Sequence, residues 1–511
     1  MDITKIPHIN EVSAFHGEYN PADCPVKSTE RFDDRQKHSK KVLPSLEEAI
    51  RRSGLKDGMT ISFHHHFRNG DYVVNMVVDQ IAKMGIKNLT LAASSLTDCH
   101  WPLIEHIKNG VITHIETSGL RGKLAEAVSR GLMDFPIIFR SHGGRAAAIE
   151  SGELHIDVAF LGAPSCDPYG NANGYNRDDE NASCCGSLGY AMLDAQMADK
   201  CVIITDHLVN FPNAPFSIPE SNVDYVVVVD NIGDPKGIMS GATRYTKNPK
   251  ELLIAKTAAE VIEASGYFED NFTMQMGSGG ASLATARFLR DKMIAKDIKC
   301  RFALGGITGQ IVQMHEEGLV KKILDVQSFD LIAANSIKNN RFHQQINASY
   351  YAGYLNGGAA VNQLDFVILS ALEIDVNFNV NVMTGSDGVI RGAVGGHPDT
   401  AAGASLTVVT APLLRGRIPT VCERVNTICT PGSTIDVLVT DQGVAVNPNR
   451  PELKEKLIAA GLPVTTIEKL KERAERIVGK PEPIKYTDRI VGVLMYRNNT
   501  VIDVIRQIKE D

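Results

Sequence analysis

A faint internal repeat constrains this chain more than any other feature. Ala49-Ile-Arg-Arg-Ser-Gly-Leu55 matches Val261-Ile-Glu-Ala-Ser-Gly-Tyr267 at an offset of 212 residues, and Met84-Gly-Ile-Lys87 matches Lys296-Asp-Ile-Lys299 at the same offset. Gly110-Val-Ile-Thr-His-Ile115 matches Gly318-Leu-Val-Lys-Lys-Ile323, and Asp157-Val-Ala-Phe-Leu161 matches Asp365-Phe-Val-Ile-Leu369, both at 208. Val223-Asp-Tyr-Val-Val-Val then parallels Ile435-Asp-Val-Leu-Val. Each match is weak by itself. Their common order and near-constant spacing mark two copies of one structural unit.

Length alone leaves more room: 511 residues at about 150 per domain allow roughly three units. The repeat replaces them with two related copies, about 45–240 and about 256–445. The expected domains are an N-terminal arm (1–44), a first domain (45–240), and a second domain with a C-terminal extension (241–511). Within each copy, strand-length apolar runs alternate with helical patterns. Ser45 caps a helix to Ser53, with Glu48 at the capping-box position. A strand at Met59–Phe63, a helix at Asp71–Met84 and a strand at Asn88–Ala92 follow. The second copy repeats this with a helix at Glu260–Ser265, strands at Phe272–Met276 and Cys300–Leu304, and a helix at Ala281–Ala295 between them. The predicted fold class is α/β: two tandem domains, each an open, mostly parallel sheet covered on both faces. Beyond residue 450 the pattern predicts helices at Pro451–Ala460 and Ile467–Val478, then a strand pair near Arg489–Tyr496 and Thr500–Ile508.

A net charge of −7 argues against a nucleic-acid-coating protein and leaves room for a local basic pocket. No apolar run approaches the roughly 18 residues of a membrane span. Met1-Asp-Ile-Thr-Lys-Ile-Pro lacks the basic-then-apolar pattern of a secretory signal. The nine cysteines include no C-x-x-C pair, which fits reduced thiols. A cytoplasmic location is the expectation.

Ligands of such sheets bind beyond the carboxyl ends of the strands. The first strand of copy one runs into His64-His-His-Phe-Arg68-Asn-Gly, and that of copy two into Gly277-Ser278-Gly279-Gly280. The glycine turn suits an anion or oxyanion at a helix N-terminus. It lacks the Lys-Ser/Thr of a phosphate-binding P-loop. The histidine triplet is not read as a metal site, because successive residues at a strand end point alternately up and down. One histidine of the triplet, with Arg68, is read instead as a carboxylate holder. Further on, Asp167-x-x-x-Asn171-x-Asn173 and Asp375-x-x-x-Asn379-x-Asn381 repeat at 208 residues. Asx-turns explain the first. The second, with Glu373 before it and Gly385-Ser-Asp-Gly388 and Gly395-Gly396-His397 after it, is expected to surround a polar ligand.

No serine elbow and no H-E-x-x-H is present. Backbone donors, amides and basic side chains suit acyl transfer to a carboxylate, which is ionised at pH 7 and needs no general base. A thiol leaving group, with a pKa of about 8.5, needs little acid assistance. Positioning and oxyanion stabilisation are then the tasks that remain.

At these residues the chain resembles the alpha subunit of citrate lyase, within the CoA-transferase superfamily. The resemblance runs from about Ser45 to the C-terminus. Its most specific stretches are Thr60-Ile-Ser-Phe-His-His-His-Phe-Arg, Asp157-Val-Ala-Phe-Leu-Gly-Ala-Pro-Ser-Cys-Asp, Gly170-Asn-Ala-Asn-Gly-Tyr, Met274-Gln-Met-Gly-Ser-Gly-Gly, Leu304-Gly-Gly-Ile-Thr and Ala371-Leu-Glu-Ile-Asp-Val-Asn-Phe-Asn-Val-Asn. The resemblance implies two CoA-transferase-like domains with the site between them. It implies that citrate displaces acetate from an acetyl thioester on an acyl carrier protein. The thioester would belong to a CoA-like prosthetic group on that gamma subunit, with no cofactor attached to this chain. A separate beta (lyase) subunit would cleave the citryl product, and an oligomeric complex is expected.

Other superfamily members use a glutamate nucleophile about thirteen residues before the glycine aligned here with Gly318. That position is Gly305, beside Gly306. Direct attack by the substrate carboxylate, through a mixed anhydride, is the expectation that follows. Gly305 and Gly306 would leave room for citrate. The Gly277–Gly280 turn would face the oxyanion. His65, Arg68 and the Asn379/Asn381 face would hold carboxylates. The alternatives are a covalent transferase using Glu373 with free acyl-CoA, a non-catalytic carrier-docking subunit, and a sugar-phosphate isomerase, against which the missing proton-transfer set argues.

Overall fold

A computed structural model describes residues 40–177, 179, 183–239, 246–277 and 279–509. Ser278 and nearly all of the N-terminal arm lie outside the described residues.

Two large sheets organise them. The first runs Val42–Leu43, Tyr225–Val228, Lys200–Thr205, Val158–Gly162, Thr60–Phe63, Leu89–Ala93, Ile112–Thr117, Ile137–Arg140, Tyr486–Met495, Val501–Ile508. The second, read in the corresponding direction, runs Val464–Thr465, Gly443–Val446, Val437–Thr440, Leu406–Thr410, Phe366–Ser370, Thr273–Met276, Phe302–Ile307, Ile323–Ser328, His343–Gln345. From Tyr225–Val228 to Ile137–Arg140, and from Val437–Thr440 to His343–Gln345, the two orders coincide, and every pairing in those stretches is parallel.

The repeat extends to individual hydrogen bonds. Asp157 accepts the Thr60 N–H at 2.7 Å, and Asp365 accepts the Thr273 N–H at 2.7 Å. Asp224 accepts the Cys201 N–H at 2.8 Å, and Asp436 the Thr407 N–H at 2.7 Å. In each case an aspartate just before one strand ties down the first or second N–H of a neighbouring strand. Parallel strands buried on both faces carry few polar side chains that could fix register otherwise. The aspartates retained in both copies supply that function.

Local signals act as expected in several helices. Ser45 caps Leu46–Arg52 by accepting the Glu48 N–H at 3.2 Å. The Glu48 side chain pairs with Arg51 and does not close a capping box. The helix before the second sheet, Pro249–Ser265, begins well before the predicted Glu260, because Asn248 caps it and Pro249 occupies its first turn. Pro451–Ala459 and Ile467–Val478 bury Leu453, Leu457, Ile467 and Leu470 against the second unit.

The final strand pair differs from the expectation of a second-domain extension. Gly492–Met495 pairs in parallel with Ile137–Arg140, so the C-terminal hairpin completes the edge of the first sheet. An antiparallel hairpin carries no sequence mark of the edge it will join. At the other edge Val42–Leu43, counted by sequence with the N-terminal arm, pairs with Val226 and Val227. The described residues contain no helix long and apolar enough to cross a membrane.

Candidate active site

The carboxyl ends of both sheets open on one cleft of about 1050 Å³. His65, Arg68, Gly277, Gly279, Gly280, Gly306, Gly395, Gly396 and His397 are among the residues that line it. Gly305, Glu373, Asp375, Asn379 and Asn381 are not among its lining residues.

Arg68 is the strongest feature of the first side. It follows the Thr60–Phe63 strand in a short turn, is 6% exposed, and adopts a left-handed backbone with φ of 54°. Its guanidinium donates to the Ile238 carbonyl at 3.1 Å and lies 4.6 Å from the centre of the Phe329 ring, on a loop of the second sheet. Arg121 lines the same cleft. Burial, and then the charge of Arg121, brings the Arg68 pKa down to about 10; burial also lowers that of Arg121, partly offset by Asp98. Among the described residues neither guanidinium forms a salt bridge with a carboxylate. Two partly desolvated cations without a bridging carboxylate have the charge to hold an anion.

His65 faces this region but is not free to bind a carboxylate. Its Nδ1 lies 2.6 Å from the Ser94 hydroxyl and its Nε2 2.9 Å from Gln327 Oε1. Burial, then the charges of Arg68 and His142, hold its pKa well below the usual value, so the ring is neutral. The other two members of the triplet diverge: His64 Nε2 meets the Gly162 carbonyl at 2.9 Å and His66 Nε2 the Ile232 carbonyl at 3.1 Å. His397 reaches the cleft with both nitrogens engaged, by Thr430 at 2.7 Å and the Ser370 carbonyl at 3.0 Å; burial lowers its pKa to about 4.

The glycine turn departs from the expectation in one respect. The Gly277 N–H donates to the Ile368 carbonyl at 2.7 Å and is therefore not an oxyanion donor. Gly279 and Gly280 begin the helix Gly280–Lys296, whose N-terminus has no side-chain cap. Glu251 lies beside it: a Cβ on Gly280 would stand 2.7 Å from Glu251 Oε2. Glu251 is the glutamate that the cleft presents among the described residues.

Gly305 and Gly306 do not hold space open for substrate. They form a bulge inside Phe302–Ile307, which continues past the predicted end of the strand. A Cβ on Gly305 would meet the Gln275 amide at 2.6 Å, and one on Gly306 the Phe329 ring at 2.2 Å. Both glycines thus let larger side chains pack over the backbone. Gln275 bonds Tyr351 at 2.9 Å, and Phe329 carries Arg68.

Glu373, Asp375, Asn379 and Asn381 build the loop behind the cleft. Asp375 accepts the N–H groups of Asn377 and Asn379 at 2.9 and 3.0 Å, just as Asp167 accepts those of Tyr169 and Gly170 at 2.9 and 3.0 Å. Asn379 accepts from Gly432 at 2.9 Å, and Asn381 accepts from Met383 and Thr384 at 2.9 and 3.0 Å. Glu373 accepts from Asn381 at 2.8 Å and from the Asn426 amide at 2.9 Å. Asx-turn chemistry therefore accounts for both copies of the motif, including the one expected to bind ligand.

Sequence reading missed Arg121, Gln275, Gln327, Phe329 and Tyr351. Gln275 and Gln327 did leave a signal, since each is a buried amide inside a strand of a nearly all-apolar sheet.

A model of the family described as "Citrate lyase, alpha subunit (CitF)" matches residues 39–508. The chain belongs to the citrate lyase alpha subunit family. The citrate lyase alpha chain of Escherichia coli (strain K12) is 58% identical over 479 residues, covering 94% of this chain and 93% of that one. A solved structure from Streptococcus mutans, described as a citrate lyase alpha subunit in complex with citrate, is 59% identical. It superposes with a TM-score of 0.90 over 93% of this chain and 92% of that one. A Pseudomonas malonate decarboxylase hetero-tetramer in complex with malonate shares the fold at a TM-score of 0.64 and 16% identity, over 88% of each chain. Family membership makes the chain one subunit of a multi-subunit enzyme.

Proposed function

We propose that this chain exchanges acetate for citrate on the thioester of an acyl carrier protein, with citrate itself as the nucleophile. Membership of the citrate lyase alpha subunit family makes it a citrate CoA-transferase. The observation that supports citrate as the attacking group is the Arg68–Arg121 pair, two partly desolvated cations in the cleft with no salt-bridging carboxylate among the described residues.

In the first step a citrate carboxylate oxygen bonds to the acetyl carbonyl carbon and the carbon–sulfur bond breaks. An acetyl–citryl anhydride and a thiolate result. In the second step the thiolate attacks the citryl carbonyl and acetate departs. No net proton is transferred, which suits a cleft whose His65 is held neutral. The thiol would belong to a CoA-like group on the carrier protein, which enters as substrate. Arginines that hold the other carboxylates of citrate raise the effective concentration of the attacking one. The uncapped start of Gly280–Lys296 offers N–H groups to the oxyanion. A lyase subunit would consume the citryl product.

The absence of a carboxylate at Gly305 and Gly306, and the engagement of Glu373 outside the cleft, favour direct transfer over a covalent glutamyl intermediate. The test is incubation with acetyl-CoA in the absence of citrate, followed by borohydride or hydroxylamine trapping and peptide mass spectrometry. Direct transfer leaves no modified glutamate. A modified glutamate, at Glu251 above all, would replace this mechanism with the covalent one. Arg68→Ala is expected to raise the KM for citrate at least tenfold.

A further inference from the structure

Directly behind the Arg68 turn lies a buried charged cluster that the transfer steps do not use. Asp71 closes the turn, and its side chain is 0% exposed. Val73 N–H donates to Asp71 Oδ1 at 2.7 Å. His100 Nε2 lies 3.4 Å from Asp71 Oδ2, and His66 Nδ1 lies 3.7 Å from Oδ1; both rings are fully buried. Asp71 Oδ2, His100 Nε2 and His66 Nδ1 form no hydrogen bond to any group among the described residues, so the cluster is held by these close approaches of opposite charge and dipole.

The other nitrogen of His100 shows which way its proton points. His100 Nδ1 accepts the Thr97 N–H at 2.9 Å, so the proton sits on Nε2 and faces Asp71. The Thr97 hydroxyl in turn donates to the Arg68 carbonyl at 3.2 Å. Asn69 Oδ1 accepts the Cys99 N–H at 3.2 Å, a second tie between the two segments. A left-handed backbone at a non-glycine residue costs about 1–2 kcal/mol and persists only where its surroundings hold it. Here the Arg68 carbonyl is held by the Asp71 N–H at 3.4 Å on one side and by Thr97 on the other.

We propose that Asp71 and His100 are positioning residues for citrate: their buried contact locks Thr97 against the Arg68 carbonyl and so aims the Arg68 guanidinium into the cleft. The inference rests on the reading of Arg68 as a citrate-binding group. Asp71 and His100 do not line the cleft, so any effect on citrate must pass through the turn.

The test uses the full-length chain with acetyl-CoA as thioester donor, and measures KM for citrate, KM for acetyl-CoA and kcat separately. The variants are Asp71→Asn, His100→Gln, Thr97→Val and Arg68→Ala. Asp71→Asn is expected to raise the citrate KM about tenfold, with kcat and the acetyl-CoA KM within threefold of the parent. Thr97→Val deletes the hydroxyl and with it the contacts to the Arg68 carbonyl, Cys99 Sγ and His100 Nδ1, and is expected to shift the citrate KM in the same direction, about threefold to fivefold. Combining Asp71→Asn with Arg68→Ala is expected to add less than threefold to the effect of Arg68→Ala. If Arg68→Ala raises the citrate KM while Asp71→Asn and Thr97→Val leave it unchanged, the positioning role is wrong. A fall in kcat alone, or equal rises in both KM values, also overturns it. If Arg68→Ala itself leaves the citrate KM unchanged, the assignment of Arg68 fails first. Should Asp71→Asn not fold, His100→Gln decides, since His100 does not line the cleft.

Discussion

Asp399 accepts a 2.8 Å hydrogen bond from the hydroxyl of Ser141. Asp399 lies in the helix His397–Gly403 of the second unit, and Ser141 caps the helix His142–Ser151 of the first. The other oxygen of Asp399 accepts the Gly143 N–H at 2.9 Å, and Arg497 of the C-terminal hairpin approaches to 3.7 Å. Burial pushes the Asp399 pKa up to about 6 against the lowering effect of those donors, so the carboxylate is ionised at neutral pH. This fully buried contact joins both units and the hairpin. Asp399→Ala removes the shared acceptor and is expected to cost about 3–5 kcal/mol, with Asp399→Asn costing less. Urea midpoints at pH 7.5 check the order; equal midpoints for parent and Asp399→Ala would remove the brace from the account.

Glu373 supplies the second prediction. Its carboxylate accepts three hydrogen bonds, from Asn381 Nδ2 at 2.8 Å, the Asn426 N–H at 3.0 Å and Asn426 Nδ2 at 2.9 Å. Glu373→Gln places an amide donor against those donors and is expected to cost about 1–3 kcal/mol of stability. Transfer by the folded fraction should stay within about threefold. A thousandfold fall in kcat with an unchanged melting temperature would return Glu373 to the chemistry.

Replacing Gly305 or Gly306 should damage the site through packing. Gly305 has φ of 104°, which alanine adopts only under strain, and its Cβ would strike Gln275 at 2.6 Å. A Cβ on Gly306 would stand 2.2 Å from the Phe329 ring on which Arg68 rests. Gly306→Ala is expected to lower stability by about 1–3 kcal/mol and to raise the citrate KM by displacing that ring. Thermal melts with citrate titrations measure both effects. A stable Gly306→Ala protein with parental citrate KM would mean that Phe329 does not support Arg68.

Much of the architecture was written in the order of residues. The offsets of 212 and 208 residues anticipated two sheets with the same strand order, and the aspartates inside those matches, Asp157 with Asp365 and Asp224 with Asp436, make equivalent hydrogen bonds. Those features are legible because strand period, caps and Asx-turns depend on neighbours a few residues away. The same local chemistry misled at Asp375, Asn379 and Asn381, where a dense polar motif proved to satisfy its own backbone.

The cleft was decided by tertiary structure. Arg68 acts with Phe329, His65 with Gln327, and Ser141 with Asp399, pairs separated by more than 250 residues and brought together only when the carboxyl ends of two sheets face each other. No local pattern encodes which polar side chain will be left without a partner in the folded chain. That depends on every other element packed around it. The chain order therefore determined two copies of one sheet, and the packing of those copies decided that Arg68 and Arg121 would share a cleft with no carboxylate bridged to either among the described residues.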